Sequence, residues 1–228
     1  MSLENSVDRK VAESIDEKVA HHFHLDAQRF DAIYDDRKGP FARFVDNVWR
    51  GVVRKRLELT VEKLEPLAGK SVLDVGCGSG RFCFAYAQHG AARVLGVDFA
   101  AAMIDIARKY ADELHVADRC TFRVGRFPDD VPETGFDAST ALGFFDYIED
   151  PVSIVRAMRE KTTQTMIMSF PKAIEWRVPI RRVRFLIKRC PLFLYTRKRV
   201  ESILQATGIQ KYDWIDLDRD YFIVAHLS

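Results

Sequence analysis

No apolar run in the 228 residues approaches the roughly 20 needed to span a bilayer. There is no internal repeat and no low-complexity linker. One sign of charge does not dominate either: 35 basic and 33 acidic residues leave a formal net charge of +2, so the molecule as a whole is not a polycation built for nucleic acid. Cysteine is scarce. Cys77, Cys83, Cys120 and Cys190 form no C-x-x-C pair and no metal-ligand spacing. With no secretory signal visible at the N-terminus, they are expected to be reduced thiols of a cytoplasmic protein. His21, His22 and His24 cluster without an acid or cysteine partner at ligand spacing, so no metal site is expected; the preferred reading is a solvated helical face.

What is present is an alternation. Residues 1–67 read as a helical lead, with apolar positions at helical spacing and a break at Gly39-Pro40. From 68 to 171, short apolar strands alternate with helices. Strands are predicted at Ser71–Val75, Arg93–Phe99, Cys120–Phe127, Phe136–Leu142 and Thr165–Phe170. Helices are predicted from Gly80 to Gln88, with Gly90 just past the end, from Ala101 to Leu114, and from Asp150-Pro151, a cap followed by proline at the first helical position. Such βαβ units imply a parallel sheet with helices on both faces. Residues 172–200 form a basic insertion. Residues 201–228 hold the end of a helix capped by Thr196, then two strands, Lys211–Leu217 and Tyr221–His226, too close in sequence to be anything but antiparallel neighbours. The predicted fold class is α/β: a Rossmann-like, doubly wound, mostly parallel sheet of about seven strands with an antiparallel last strand and N-terminal helices, in a single domain.

The chemistry is written at the first strand-to-helix turn, Val72-Leu73-Asp74-Val75-Gly76-Cys77-Gly78-Ser79-Gly80. Glycines there permit tight backbone geometry and close approach of a ligand, and the free N–H groups of the following helix face the same crevice. A second acid, Asp98, ends the next strand and suits the hydroxyls of a ribose. The glycines run G-x-G-x-G rather than G-x-G-x-x-G, and Asp74 precedes them. A carboxylate beside a pyrophosphate is repulsive, which disfavours a nicotinamide dinucleotide; beside a cationic ammonium it is favourable.

These residues resemble the class I S-adenosylmethionine-dependent methyltransferase family, small-molecule type. Leu73 to Gly80 looks like its first motif, Gly96 to Met103 its second, and Phe136-Asp137-Ala138 with Ala141-Leu142 its fourth. The resemblance covers Leu67 to Phe170, and the terminal hairpin fits the family's antiparallel last strand. It implies S-adenosyl-L-methionine as cofactor and S-adenosyl-L-homocysteine as product. Asp74 would lie near the methionine end, Gly76, Cys77, Gly78 and Gly80 would shape the cradle, and Asp98 would bind the ribose. Phe99 and Met103 would border adenine, and Leu142 would line the crevice. Arg126 and Phe127 stand where the family often carries an acid near adenine, so backbone groups or Asp129 would serve there. Ala100-Ala101 stands where it often has serine or proline.

In this chemistry the protein mainly binds and aligns, and a base is needed only if the acceptor loses a proton at the reacting step. Candidates are Tyr34 and His24 in the lead, and Asp146 and Tyr147 after the fourth strand. Magnesium-protoporphyrin O-methyltransferases carry a histidine–tyrosine pair near that last point. The blander readings are a cap for Asp146 and packing for Tyr147 and Tyr34. Between Lys172 and Arg199 the chain has ten basic residues and one acid, Glu175, interleaved with aromatics. That composition points to an anionic or amphiphilic small-molecule acceptor, or to peripheral contact of 172–200 with an anionic membrane carrying a lipid, quinone or tetrapyrrole; a solvated helix is the plain alternative. A non-catalytic S-adenosylmethionine-binding module is the competing class. Nucleic acid is disfavoured, because no binding module is recognisable.

Overall fold

The computed structural model describes residues 54–173 and 192–227. His21, His22, His24, Tyr34 and the stretch 174–191 lie outside the described residues. Residues 54–64 form a helix, α1. Then follow β1 (Ser71–Val75), α2 (Arg81–Gln88), β2 (Arg93–Asp98), α3 (Ala101–Glu113), β3 (Cys120–Val124) and β4 (Phe136–Ala141). A 3-10 turn at Phe145–Tyr147 leads to α4 (Pro151–Lys161), β5 (Thr162–Pro171), α5 (Arg197–Ala206), β6 (Tyr212–Asp216) and β7 (Asp220–His226).

Among the described residues the sheet has seven strands in the order β3-β2-β1-β4-β5-β7-β6. The first five pair in parallel, while β7 runs antiparallel to β5 and to β6. Strand order reverses between β1 and β4, which opens a crevice beyond their carboxyl ends. One face of the sheet is covered by α1, α2 and α3, through residues such as Leu64, Tyr86 and Ile104; the other by α4 and α5, through Met158 and Leu204. Central strands are buried on both faces and accordingly read as continuous apolar runs (Val72, Leu73 and Val75 in β1). No helix among the described residues is long and apolar enough to cross a membrane.

Local sequence explains most helix ends. Asp150 caps α4 by accepting from the Val152 N–H, and Thr196 caps α5 by accepting from the Arg199 N–H. After α2, Gly90 adopts a left-handed φ of 94° while Gly90 and Ala91 donate to the Ala87 and Tyr86 carbonyls, the Schellman closure that a glycine just past the helix predicts. Gly208 closes α5 in the same way. At the end of α3 the role falls to His115, at φ 55°, a residue type that gives no such signal in the sequence.

Strand boundaries differ from the sequence reading by one residue in several places and by more in two. β3 stops at Val124, because residues 126–130 turn: Asp130 accepts from the Arg126 N–H and donates its own N–H back to the Arg126 carbonyl. β5 begins at Thr162, directly after α4. The polar run Thr162-Thr163-Gln164-Thr165 looks like a loop, yet Thr162 Oγ1 bonds the Met158 carbonyl and Ser139 Oγ (both 2.7 Å), which seats the chain in the sheet at once.

Candidate functional site

The turn after β1 is a backbone construction. Gly76, Gly78 and Gly80 have φ of 70°, 52° and 81°, a left-handed region in which a Cβ is strained. The Gly76 and Cys77 N–H groups donate to the Val97 carbonyl (2.8 and 3.1 Å), folding the turn against the end of β2. Space also demands glycine at 76, where an added Cβ would sit 2.4 Å from the Phe144 ring; at Gly78 it would meet nothing within 4 Å.

Asp98, at the tip of β2, is gripped from both sides. Its Oδ2 accepts from the Gly78 N–H and its Oδ1 from the Ala100 N–H, each at 2.9 Å. Burial pushes this carboxyl up from its ordinary value, and the two N–H donors oppose that shift. Each oxygen keeps a second lone pair for a ligand hydroxyl.

Asp74 lies deeper, 2% exposed. Its Oδ1 accepts from Thr140 Oγ1 (2.7 Å) and its Oδ2 from Cys83 Sγ (3.3 Å), while the Tyr86 hydroxyl donates to Thr140 Oγ1 (3.2 Å). Burial raises its pKa to about 6 despite the two donors. Asp137, the acid of the fourth motif, stands at the opposite end of the sheet. It accepts from the Ser71 N–H and hydroxyl, both at 2.8 Å, and those bonds hold it below the usual carboxylate range. Its task is to join β4 to β1.

Beyond the strand ends is a cavity of about 270 Å³. Gly76 and Val97 form its floor, Asp98 and Phe99 one wall, and Gly125, Arg126, Phe127 and Asp129 a second. Gly143, Phe144, Tyr147 and Ile148 close the third side, with Ile154 behind them. Of the residues singled out in the sequence, Gly76, Asp98, Phe99, Arg126, Phe127 and Tyr147 therefore meet in one place, and Gly78 joins them through its bond to Asp98. Cys77, Gly80, Met103 and Leu142 do not line the cavity. Cys77 is buried with its Sγ 3.7 Å from the Gly78 carbonyl, and Gly80 is packed beneath Phe84 and Phe122. Met103 packs in a small cluster with Ala100, and Leu142 sits against the helix α1–α3 side of the core. Asp146 is buried inside the 3-10 turn, and its carbonyl accepts from the Phe193 N–H (2.8 Å).

Sequence reasoning missed Val97 and Gly125, whose only signal was their place at strand ends, and Ile148 and Ile154, which lie after the 3-10 turn and in α4. It also missed Arg56. This α1 residue sends its guanidinium to Asp220 and lays Nη1 3.3 Å from where a Gly143 Cβ would be, at the edge of the cavity. The donor set fits a cationic, ribose-bearing ligand: carboxylates at Asp98 and Asp129, aromatic rings at Phe99 and Phe127, and no backbone bulk at Gly76.

A family model described as a methyltransferase domain matches residues 67–190. The ubiquinone biosynthesis O-methyltransferase of Neisseria meningitidis is 40% identical over 94 residues, which is 40% of this chain and 39% of that protein. Its counterpart in Pseudomonas paraeruginosa is 38% identical over 98 residues, 42% of this chain and 41% of that protein. The matched part thus spans about two fifths of the length of these curated relatives. Among solved structures, magnesium protoporphyrin IX methyltransferase from Synechocystis PCC 6803 with bound S-adenosylhomocysteine has a TM-score of 0.71 at 21% identity, covering 88% of this chain and 94% of that one. Geranyl diphosphate C-methyltransferase from Streptomyces coelicolor A3(2) has a TM-score of 0.65 at 15% identity, covering 86% of each. The structural likeness shows the fold, and the family model, which matches more than half of the chain, shows the kinship: the chain belongs to the methyltransferase domain family.

Proposed function

We propose that the protein is an S-adenosylmethionine-dependent methyltransferase acting on a small molecule, by O-methylation of an anionic or amphiphilic acceptor. The observation that carries this reading is Asp98, held by the N–H groups of Gly78 and Ala100 at the wall of a cavity that opens beside the left-handed Gly76. In this reading Asp98 accepts from the ribose hydroxyls, and Phe99 and Phe127 flank the adenine, with Arg126 and Asp129 at its rim. Gly76 lets the backbone approach the methionine end. Asp74 acts from below as a buried acid, and the Arg56 guanidinium meets the amino-acid carboxylate. The cofactor, when bound, supplies a methyl group already activated on a sulfonium. The chain's own work is to orient it, exclude water with Phe144, Ile148 and Ile154, and present the acceptor. Tyr147 is a described side chain on the cavity wall able to hold a proton there.

The relatives are named for ubiquinone biosynthesis, magnesium protoporphyrin IX and geranyl diphosphate, which supports an amphiphilic acceptor. A second reading places that acceptor at an anionic membrane surface. Arg197, Lys198 and Arg199 are exposed together on the first turn of α5, just after the most basic stretch of the sequence. Vesicle sedimentation that salt weakens supports it; none at low salt removes it.

The primary test is calorimetric titration with S-adenosylmethionine and its demethylated product. Wild type is expected to bind both, and Asp98→Ala to bind about 10- to 100-fold more weakly, since charge-assisted hydrogen bonds are lost and two N–H groups are left unpaired. A folded wild type that binds neither ligand would sink the reading.

A further inference from the structure

Four elements distant in sequence converge beside Gly143. Its N–H donates to Ser169 Oγ of β5 (2.9 Å), and Ser169 is 1% exposed. Its left-handed φ of 71° leaves no Cβ, and the Arg56 Nη1 from α1 occupies the neighbouring space. Arg56 is in turn held by Asp220, the first residue of β7. Asp220 Oδ2 accepts from Arg56 Nε (3.1 Å) and also from Nη2. Because β7 runs antiparallel, its start lies opposite Pro171, at the same end of the sheet as the cavity.

The Asp220 carboxylate is 1% exposed and the Arg56 side chain 14%. Burying two charges in this way carries a large desolvation penalty, and apolar residues of similar volume commonly serve stability as well or better. Stability alone therefore does not account for the pair. Geometry does. The guanidinium is planar and rigid, so fixing the Nε–Nη2 edge fixes the direction of the Nη1 donors. The bonds that Arg56 makes to Asp220 leave from Nε and Nη2, and the group that Nη1 abuts, Gly143, is part of the cavity wall.

We infer that Asp220 is a positioning residue of the cofactor site, holding Arg56 so that its free edge recognises the carboxylate at the amino-acid end of the cofactor. The inference rests on the cofactor reading above. It gives the antiparallel strand a part in ligand selection as well as in closing the sheet.

The test compares S-adenosylmethionine with its decarboxylated form, which differs only at the group Arg56 is said to meet. Wild type is expected to prefer the full cofactor by about 10-fold or more, the usual scale of a charge-assisted pair. Asp220→Asn, isosteric and checked for folding by its melting curve, is expected to lose most of that preference. Its KM for the cofactor rises while kcat and the acceptor KM stay within about 2-fold. Arg56→Lys keeps a cation opposite Asp220 without the rigid fork; it is expected to show the same loss and keeps the test readable if the asparagine variant does not fold. Asp98→Ala, by contrast, weakens both ligands alike and leaves the preference intact. Wild type binding neither ligand would remove the cofactor reading and this inference with it. Wild type and folded Asp220→Asn sharing the same preference would overturn the positioning role alone.

Discussion

On the side of the crevice that carries β1, β2 and β3, the turn that opens the cavity is built of backbone. Gly76, Gly78 and Gly80 bend the chain through left-handed conformations, and the one side chain at its centre, Asp98, is fixed by main-chain N–H groups. On the side that carries β5, β7 and β6, the structure behind the crevice is packed side chains. Phe145 stacks on Phe170 (4.4 Å between centroids), Phe170 meets Tyr195 edge-on (5.2 Å), and Trp214 leans on Tyr221 (5.0 Å). Cations cover the outer rings: Arg197 over Trp214 (4.8 Å), Arg199 over Tyr195 (4.9 Å) and Lys172 over Tyr221 (5.3 Å). A turn of backbone and glycine has few alternatives to its sequence, whereas packing of stacked side chains has many. The first side is thus the rigid one, suited to a constant ligand, and the second is the one that can vary with an acceptor.

The sharpest way to break this contrast is at Gly76. Gly76→Ala combines left-handed strain of about 1–2 kcal/mol with a clash against the Phe144 ring, so cofactor affinity is expected to fall roughly 100-fold by calorimetry. Gly78→Ala carries the strain without the clash and is expected to lose about 10-fold or less. Equal losses at the two positions would show that the ring contact is irrelevant.

A second test is acid titration of stability. Asp74 has its pKa raised from 3.8 to about 6, so the folded state binds the extra proton. Its contribution is therefore full below pH 3.8 and is lost as pH rises through about 6. Between pH 4.5 and 7 wild type is expected to lose about 2 kcal/mol that Asp74→Asn does not lose, read by urea unfolding. The range avoids Glu133, which Arg123 pulls down to about 2 and whose stabilisation disappears only at lower pH, with the opposite sign.

On the variable side the effects are smaller. The Tyr195 hydroxyl, pushed up to about 12 by burial, donates toward the Phe145 and Ile148 carbonyls (3.2 and 3.0 Å) and straps the 3-10 turn of the cavity wall. Tyr195→Phe is expected to lower stability by about 1 kcal/mol. Arg199→Ala is expected to cost about 0.5 kcal/mol or less, because Arg199 itself is exposed to solvent where it lies over the Tyr195 ring. An Arg199→Ala effect as large as that of Gly76→Ala on cofactor affinity would erase the distinction between the two sides.

The same contrast decides what could be read from the sequence. Gly76, Gly78 and Asp98 are legible because only glycine tolerates those dihedrals and because an acid at a strand tip is a local pattern. The β6–β7 pairing is legible because the separating segment is too short for a crossover. Arg56 and Asp220 are not, since their meeting spans 164 residues and depends on which strand lies beside which. The start of β5 escaped because threonines joined to a helix end look like a turn until Ser139 is known to be opposite. Met103 and Leu142 are expected near the cofactor from their place in motifs, and the structure packs them with Ala100 and with the core on the α1–α3 side.

The insertion of β7 between β5 and β6 also sets a schedule for chain synthesis. The ten-residue β5, ending at Pro171, pairs with β4 on one side but gains its second partner only when residues 220–226 have left the ribosome, and β6 has no neighbour at all until then. An apolar sheet edge stays bare for roughly fifty residues of translation, an interval in which pairing with another chain competes with the native strand. Deleting β7 would therefore take two strands from the sheet, leaving the buried β5 as its new, exposed margin.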